Sequence, residues 1–129
     1  MDVLLSIKPK YVNKIIKGEK KYEFRKTRLD KKRIRYAYIY STSPVKKIIA
    51  RVVIDDILEG SPKVLWKKCK KYSGISEEEF FNYYADRQVA FAIAIKDVEL
   101  LKTPIDPYKE IKNFIAPQSY YYLKDDTFL

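Results

Sequence analysis

The chain has 129 residues, 47% of them apolar, and its 27 Lys and Arg outnumber 17 Asp and Glu to leave a formal charge of +10. A chain of this length makes one domain, here expected over residues 1–129, and buries roughly two-thirds of its unfolded surface without needing a staple. The single cysteine, Cys69, excludes an internal disulfide, and with no histidine present it cannot assemble a zinc centre. The basic excess points to an anionic partner, of which nucleic acid is the commonest.

Residues 1–6 turn polar too soon for a signal peptide, and no apolar run approaches the ~20 residues of a membrane helix. The expectation is a cytoplasmic protein with no membrane partner. Cys69 sits among Lys67, Lys68, Lys70 and Lys71. Without a histidine to act as base it reads as a small packing residue.

In chain order, Val3 to Ser6 reads as a short buried strand. Pro9 suits the first turn of a helix, Tyr11, Val12, Ile15 and Ile16 give that helix one apolar face, and Gly18 is placed to end it. Lys20 to Arg25 alternates, with Tyr22 and Phe24 on one face and Lys21, Glu23 and Arg25 on the other, as in a half-buried strand. Ile34 to Ser41 is a tyrosine-rich strand, Ser41 to Pro44 a loop, and Ile48 to Leu58 a longer strand. Ser61 and Pro62 open a helix, and Ser76 with Glu79 forms a capping box for another. Gln88 to Leu101 is the most strand-like stretch. Asp106-Pro107 starts a short helix, and Tyr120 to Leu123 closes the chain as a strand.

Strands that do not alternate regularly with helices argue against a doubly wound sheet. The expected class is α+β: a small mixed or antiparallel β-barrel with helices covering its ends. Phe24, Ile54 and Phe91 are expected to lie in its core.

The most informative stretch is Gly18-Glu19-Lys20-Lys21-Tyr22-Glu23-Phe24-Arg25, followed by Lys26, Arg28, Lys31, Lys32, Arg33 and Arg35. A carboxylate among so many cations is placed to orient them, and an arginine held that way offers a planar fork to a phosphate or a base edge. The same residues also suit a solvated strand face with local salt bridges worth ~0–1 kcal/mol each. Tyr36, Tyr38 and Tyr40 share one strand face. They either stack bases beside Lys and Arg or, the stronger reading, fill the barrel core. Tyr83 and Tyr84 are placed to wall a cleft at a helix-to-strand turn. Trp66 reads as packing and the Lys67–Lys71 run as a solvated helix face. Asp55-Asp56 and Asp125-Asp126 are weak signals for a cation, and no Gly-rich nucleotide loop occurs, so neither metal nor cofactor is expected.

Ser6-Ile7-Lys8-Pro9, the helix, and then Gly18, Lys20, Glu23 and Arg25 resemble the G-x-K-x-x-E-x-R signature of ASCH domains. Tyr40-Ser41-Thr42-Ser43-Pro44 and Pro117-Gln118-Ser119-Tyr120 are similar to further blocks of that family. The resemblance implies a PUA-like β-barrel with a cleft beside its first helix and a role in RNA binding, or in a reaction on a nucleic-acid component. Together with the basic run and the helix-to-strand turn, it leads to Lys20, Lys21, Glu23, Arg25, Lys26, Arg28, Ser41, Thr42 and Tyr84 as the expected site, with Lys20 and Glu23 the catalytic candidates if there is turnover. One branch of the family hydrolyses N4-acetylcytidine with a lysine, a threonine and a glutamate. Here Lys20 matches the lysine, Glu23 stands in place of the threonine, and Glu77, Glu78 and Glu79 are candidates for the glutamate. Ser41, Thr42 or Ser43 would then have to supply the hydroxyl.

The leading expectation is an RNA-binding protein with a basic cleft. The rivals are a hydrolase, acting as a ribonuclease or on an acylated, modified nucleoside, and a sensor of a small ligand. RNA affinity should fall steeply with salt, with a slope near −0.7 per phosphate contact on a single strand. Titrations of a single-stranded RNA at several salt concentrations measure this, and a salt-insensitive affinity contradicts it.

Overall fold

The computed structural model describes residues 1–125, 127 and 128. Six strands form one curled sheet, a half-barrel of mixed direction. They are β1 (Asp2–Ile7), β2 (Tyr22–Arg25), β3 (Ala37–Ser41), β4 (Lys47–Gly60), β5 (Ala90–Ile105) and β6 (Tyr120–Leu123). Their spatial order is β2-β5-β4-β3-β1-β6. All neighbours are antiparallel except β1 and β3, which run parallel with Val3 opposite Ala37 and Ile7 opposite Ser41. The helices are α1 (Pro9–Ile16), α2 (Pro62–Cys69), α3 (Glu77–Tyr83) and α4 (Pro107–Glu110). The element order is the one expected from the sequence, and the class is α+β.

Local chemistry explains the boundaries. Pro9 opens α1, and Gly18 follows it at φ +77°, where a side chain would be strained. The Ser61 hydroxyl caps α2 through Val64 N–H, and Asp106 caps α4 through Tyr108 N–H. At α3 the capping box is half made. Ser76 accepts from Glu79 N–H at 3.1 Å, but the Glu79 carboxylate turns to Tyr11 instead. Register shifts near Ile48, Val53 and Ile54 in β4 bend the two long strands, which curls the sheet.

Among the described residues, three apolar clusters form the core. One lies inside the curl, around Val3, Leu5, Ile39, Val52 and Ile93. A second, around Phe24, Leu65, Cys69, Phe80 and Tyr84, glues α2 and α3 to β2 and β5. The third, around Leu4, Tyr38, Tyr40 and Phe114, closes the other face. Tyr38 and Tyr40 are therefore core. Tyr36 is half-buried, with the guanidinium of Arg51 4.2 Å from its ring centre. Phe24 and Ile54 are buried as expected, while Phe91 is only half-buried because its side chain is near the end of β5. Burial pushes the Cys69 thiol up to about 11, consistent with a packing role.

The half-barrel has a seam. No backbone ladder joins edge strand β2 to edge strand β6. Side chains bridge it instead: Arg25 reaches Ser119 and Ser6, the Tyr120 hydroxyl donates to the Arg28 carbonyl, and the Tyr122 hydroxyl accepts from Asp30 N–H.

Phe80 is fully buried, and its ring meets those of Phe24, Trp66, Phe81 and Tyr84 at 4.9–5.1 Å. Phe80→Ala should cost about 3–5 kcal/mol, because this aromatic cluster cannot collapse into the space left. Urea unfolding measures the loss, and a cost below 1 kcal/mol would show that the helices are not held by this contact.

Candidate functional site

Lys20 lies just before β2, on the turn that Gly18 creates, and its side chain is 1% exposed. It runs under residues 73–75. Its Nζ donates to the Ser73 carbonyl at 2.6 Å and lies 3.9 Å from Glu23 Oε1. The ammonium also sits 4.8 Å from the centre of the Phe24 ring and 5.3 Å from that of Tyr11. Gly74 makes this path possible. At φ +68° it would place a Cβ 2.6–2.8 Å from the stem of Lys20, closer than carbon atoms can approach.

Glu23 and Arg25 follow on the same strand. The expected alternation put them on a half-exposed face, but both are buried, at 8% and 6%. The reason is the seam: the chain around Ser6 and Ser119 covers that face. Glu23 Oε2 accepts from Arg25 Nη2 at 3.1 Å. Nη2 also donates to the Ser6 carbonyl at 3.0 Å, and Nη1 donates to both the carbonyl and the hydroxyl of Ser119. The Arg25 Nε is buried without a partner among the described residues.

These residues form the floor of a cleft between α1, α3 and β2. One part of it, about 430 Å³, is lined by Lys8, Tyr11, Lys20, Glu23, Phe24, Ile75, Glu79, Asn82 and Tyr83. An adjoining part shares Lys8, Tyr11, Glu23, Phe24 and Tyr83 and runs on past Arg25 and Thr42 to Pro117 and Gln118. Cations and carboxylates alternate along it: Lys8, Lys20 and Arg25 against Glu23 and Glu79. On the wall, the Tyr11 hydroxyl donates to Glu79 Oε2 at 2.5 Å. Burial and this carboxylate push the Tyr11 phenol up, and the same hydrogen bond holds the Glu79 carboxyl below its ordinary range. Burial pushes Tyr83 up as well.

Lys20, Glu23, Arg25 and Thr42 come together at the cleft, and Lys26 stands at its mouth with Nζ 4.7 Å from the centre of the Tyr83 ring. The other expected residues stand apart. Ser41 is buried in β3 between Ile7 and Lys47. Arg28 pairs with Glu59 at a separate hollow beyond the seam. Lys21 points outward, its Nζ 4.2 Å from the centre of the Tyr72 ring. Tyr84 is buried behind the floor and donates to the carbonyls of Arg25 and Phe91, so it supports the cleft while Tyr83 lines it.

Sequence reasoning passed over Ser73, Asn82 and the Ser119–Arg25 contact. The flanking Gly74 was a signal for the first, and nothing local marks the other two. Among the described residues, no three His, Cys, Asp or Glu side chains gather into a metal-binding group. Asp125 pairs with the N-terminal ammonium, and Asp126 lies outside the described residues.

A curled α+β half-barrel with a cleft at its seam, beside the first helix, is the architecture the sequence resemblance implied. The chain belongs to the ASCH domain family, whose pattern it matches over residues 5–100. It is 28% identical over 127 residues to an ASCH domain-containing ribonuclease from Zymomonas mobilis, an alignment covering 97% of this chain and 86% of that protein. It is 29% identical over 123 residues to the large ribosomal subunit protein uL22 of Ureaplasma parvum; there it covers 95% of this chain but spans only 39% of the relative. Crystal structures of the Zymomonas mobilis ASCH protein and of a serine-to-alanine variant superpose with TM-scores of 0.88 and 0.89 at 25% identity. Each match covers 98% of this chain and 90% of the other.

Burial pulls the Lys20 ammonium from its ordinary 10.5 down to about 8, and nearby Glu23 only partly offsets it. Between these values the unfolded chain binds the extra proton, so stability contributed through Lys20 rises with pH from about 8 to 10.5. Relative to Lys20→Met, the wild type should gain about 3 kcal/mol between pH 7.5 and 10.5. Comparing the two proteins cancels the other titrations. A difference in unfolding free energy that stays flat across this window contradicts the desolvated ammonium.

Proposed function

We propose that this protein binds single-stranded RNA in the cleft between α1, α3 and β2 and cleaves the bound strand, with Lys20 as the proton acceptor. The observation that carries the reading is Lys20 itself: a desolvated lysine with a pKa of about 8 at the floor of a cleft walled by Tyr11, Phe24 and Tyr83. A general base works best when its pKa lies near the working pH, and in a chain without histidine a depressed lysine meets that condition. The ribonuclease named among the relatives supports the same class of reaction. Aromatic faces on the wall suit a stacked base, and the cations suit phosphate.

In this mechanism neutral Lys20 takes the proton of a ribose 2′-hydroxyl, whose oxygen attacks the adjacent phosphorus. The bond to the 5′-oxygen breaks, and that oxygen takes a proton from Tyr11, leaving a cyclic phosphate. The Glu79 carboxylate holds the Tyr11 hydroxyl in the free cleft. With the strand bound, the phenol turns its single proton from Glu79 to the leaving oxygen, and Arg25 holds Glu23 beneath the reacting centre. Lys20 is reached only by a ligand seated against the floor.

The acylated-nucleoside reading has less support. The polar neighbours of Lys20 are the Ser73 carbonyl and Glu23, and among the described residues no serine or threonine hydroxyl is bonded to its Nζ. A second reading, binding without turnover, is favoured by the low exposure of Lys20 and its 2.6 Å bond to Ser73.

The test is single-turnover cleavage of a fluorescent single-stranded RNA, with affinity measured separately. The neutral fraction of a base with pKa about 8 predicts a rate rising about tenfold from pH 7 to pH 9. Lys20→Met, which keeps an alkyl stem under Gly74, should cut the rate by at least about 100-fold with affinity changed only a few-fold. Tight binding with no cleavage by the wild type would establish the second reading, and a Lys20→Met variant as fast as wild type would remove Lys20 from the reaction.

A further inference from the structure

Outside the cleft, one run of strongly one-sided charge lies between Pro62 and Tyr72. That segment carries five lysines and no Asp or Glu. It forms α2 and the turn of 3₁₀-helix over Lys70–Tyr72. Leu65 and Cys69 face the core, which leaves Lys63, Lys67 and Lys70 along one side at spacings of four and three residues. These three lysines border a groove of about 520 Å³ between α2 and α3, whose other lining residues are Trp66, Phe81 and Glu77.

Three features separate this groove from an ordinary solvated helix face. None of Lys63, Lys67 and Lys70 has a carboxylate partner among the described residues, although Glu77 stands on the rim. Aromatic surface is set among the cations. Trp66 and Phe81 are both half-buried, and Trp66 is held in place by Phe80, with ring centres 4.9 Å apart. Finally, α3 presents Glu79, Asn82 and Tyr83 to the cleft and Glu77 and Phe81 to the groove, so one short helix is the ridge between the two.

We propose that the α2–α3 groove is a second RNA contact, in which Lys63, Lys67 and Lys70 neutralise backbone phosphates and a base stacks on Trp66. The inference rests on the RNA reading of the cleft and adds to it a subsite for another part of the strand. Its physical basis is that of sequence-tolerant single-strand binding: a row of cations tracks the backbone while aromatic faces receive bases of any identity. The groove therefore adds affinity and length dependence but no reaction.

Trp66 is the chain's one tryptophan, so its emission reports this groove and not the cleft. The experiment titrates full-length protein with a single-stranded RNA of about 20 nucleotides, following Trp66 emission and, separately, the anisotropy of labelled RNA. The variant is Lys63→Gln/Lys67→Gln/Lys70→Gln, whose changes are all at exposed positions, and circular dichroism checks its fold. RNA should quench Trp66 in the wild type. In the variant affinity should drop by about tenfold or more, and the slope of log affinity against log salt should become shallower by about 2, from three contacts at about 0.7 each. Heparin, a polyanion without bases, should compete for the groove but quench Trp66 less than RNA does. Three outcomes overturn the proposal: RNA binding that leaves Trp66 emission unchanged, a variant with the wild-type salt slope, or heparin quenching equal to that of RNA. The first two leave the cleft reading standing. An absence of RNA binding by anisotropy at every salt concentration removes both.

Discussion

The guanidinium of Arg25 spans the gap between β2 and the chain leading into β6, two edges that no backbone ladder joins. Its four hydrogen bonds reach Glu23, the Ser6 carbonyl and both oxygens of Ser119. A permanently charged planar fork is suited to this, because it can satisfy several acceptors at fixed angles at once. The arrangement is also costly to disturb. Removing one partner of a buried ion pair typically costs ~3–5 kcal/mol, since the other charge is left without compensation. An aliphatic residue at position 25 would leave Glu23 and the acceptors at Ser6 and Ser119 short of donors in one step.

A seam closed by side chains differs from one closed by a ladder. Backbone pairing would bring the strands to about 4.8 Å and leave no room for a ligand. Here the edges stay apart, and the opening becomes the cleft. The charges that hold the seam are therefore the charges at the floor of the site. Lys20 extends this logic at the start of the strand, where it is covered by the Ser73–Ile75 loop because Gly74 has no side chain. Its burial is what pulls its pKa down to about 8. The depression is thus a consequence of packing, with Glu23 opposing it.

Helix α3 links these parts to the rest of the molecule. Phe80 anchors it to the core, Tyr84 just after it supports the backbone of Arg25 and Phe91, and Glu79 reaches across the cleft to Tyr11 on α1. A helix of seven residues has little stability of its own. Its position is decided by these contacts, so the width of the cleft depends on the same aromatic cluster that binds α2. The chemistry open to the cleft rests on which groups this chain brings there.

The order of elements, most helix caps and the turn at Gly18 were all legible in the sequence. Each depends on interactions within a few residues: proline at a helix start, glycine at positive φ, alternation along a strand. Periodicity also divided Tyr22 and Phe24 from Glu23 and Arg25. It could not tell that the polar face would be covered too, because the cover comes from Ser6 and from Ser119, 94 residues away from Arg25. The same limit applies to Tyr84, which falls behind the floor, to Ser41, which falls inside the sheet, and to Tyr11 and Glu79, joined across 68 residues. Local propensity determined which elements form and which faces they offer. Closure of the curled sheet decided which faces meet, since register and seam are set by packing over the whole chain.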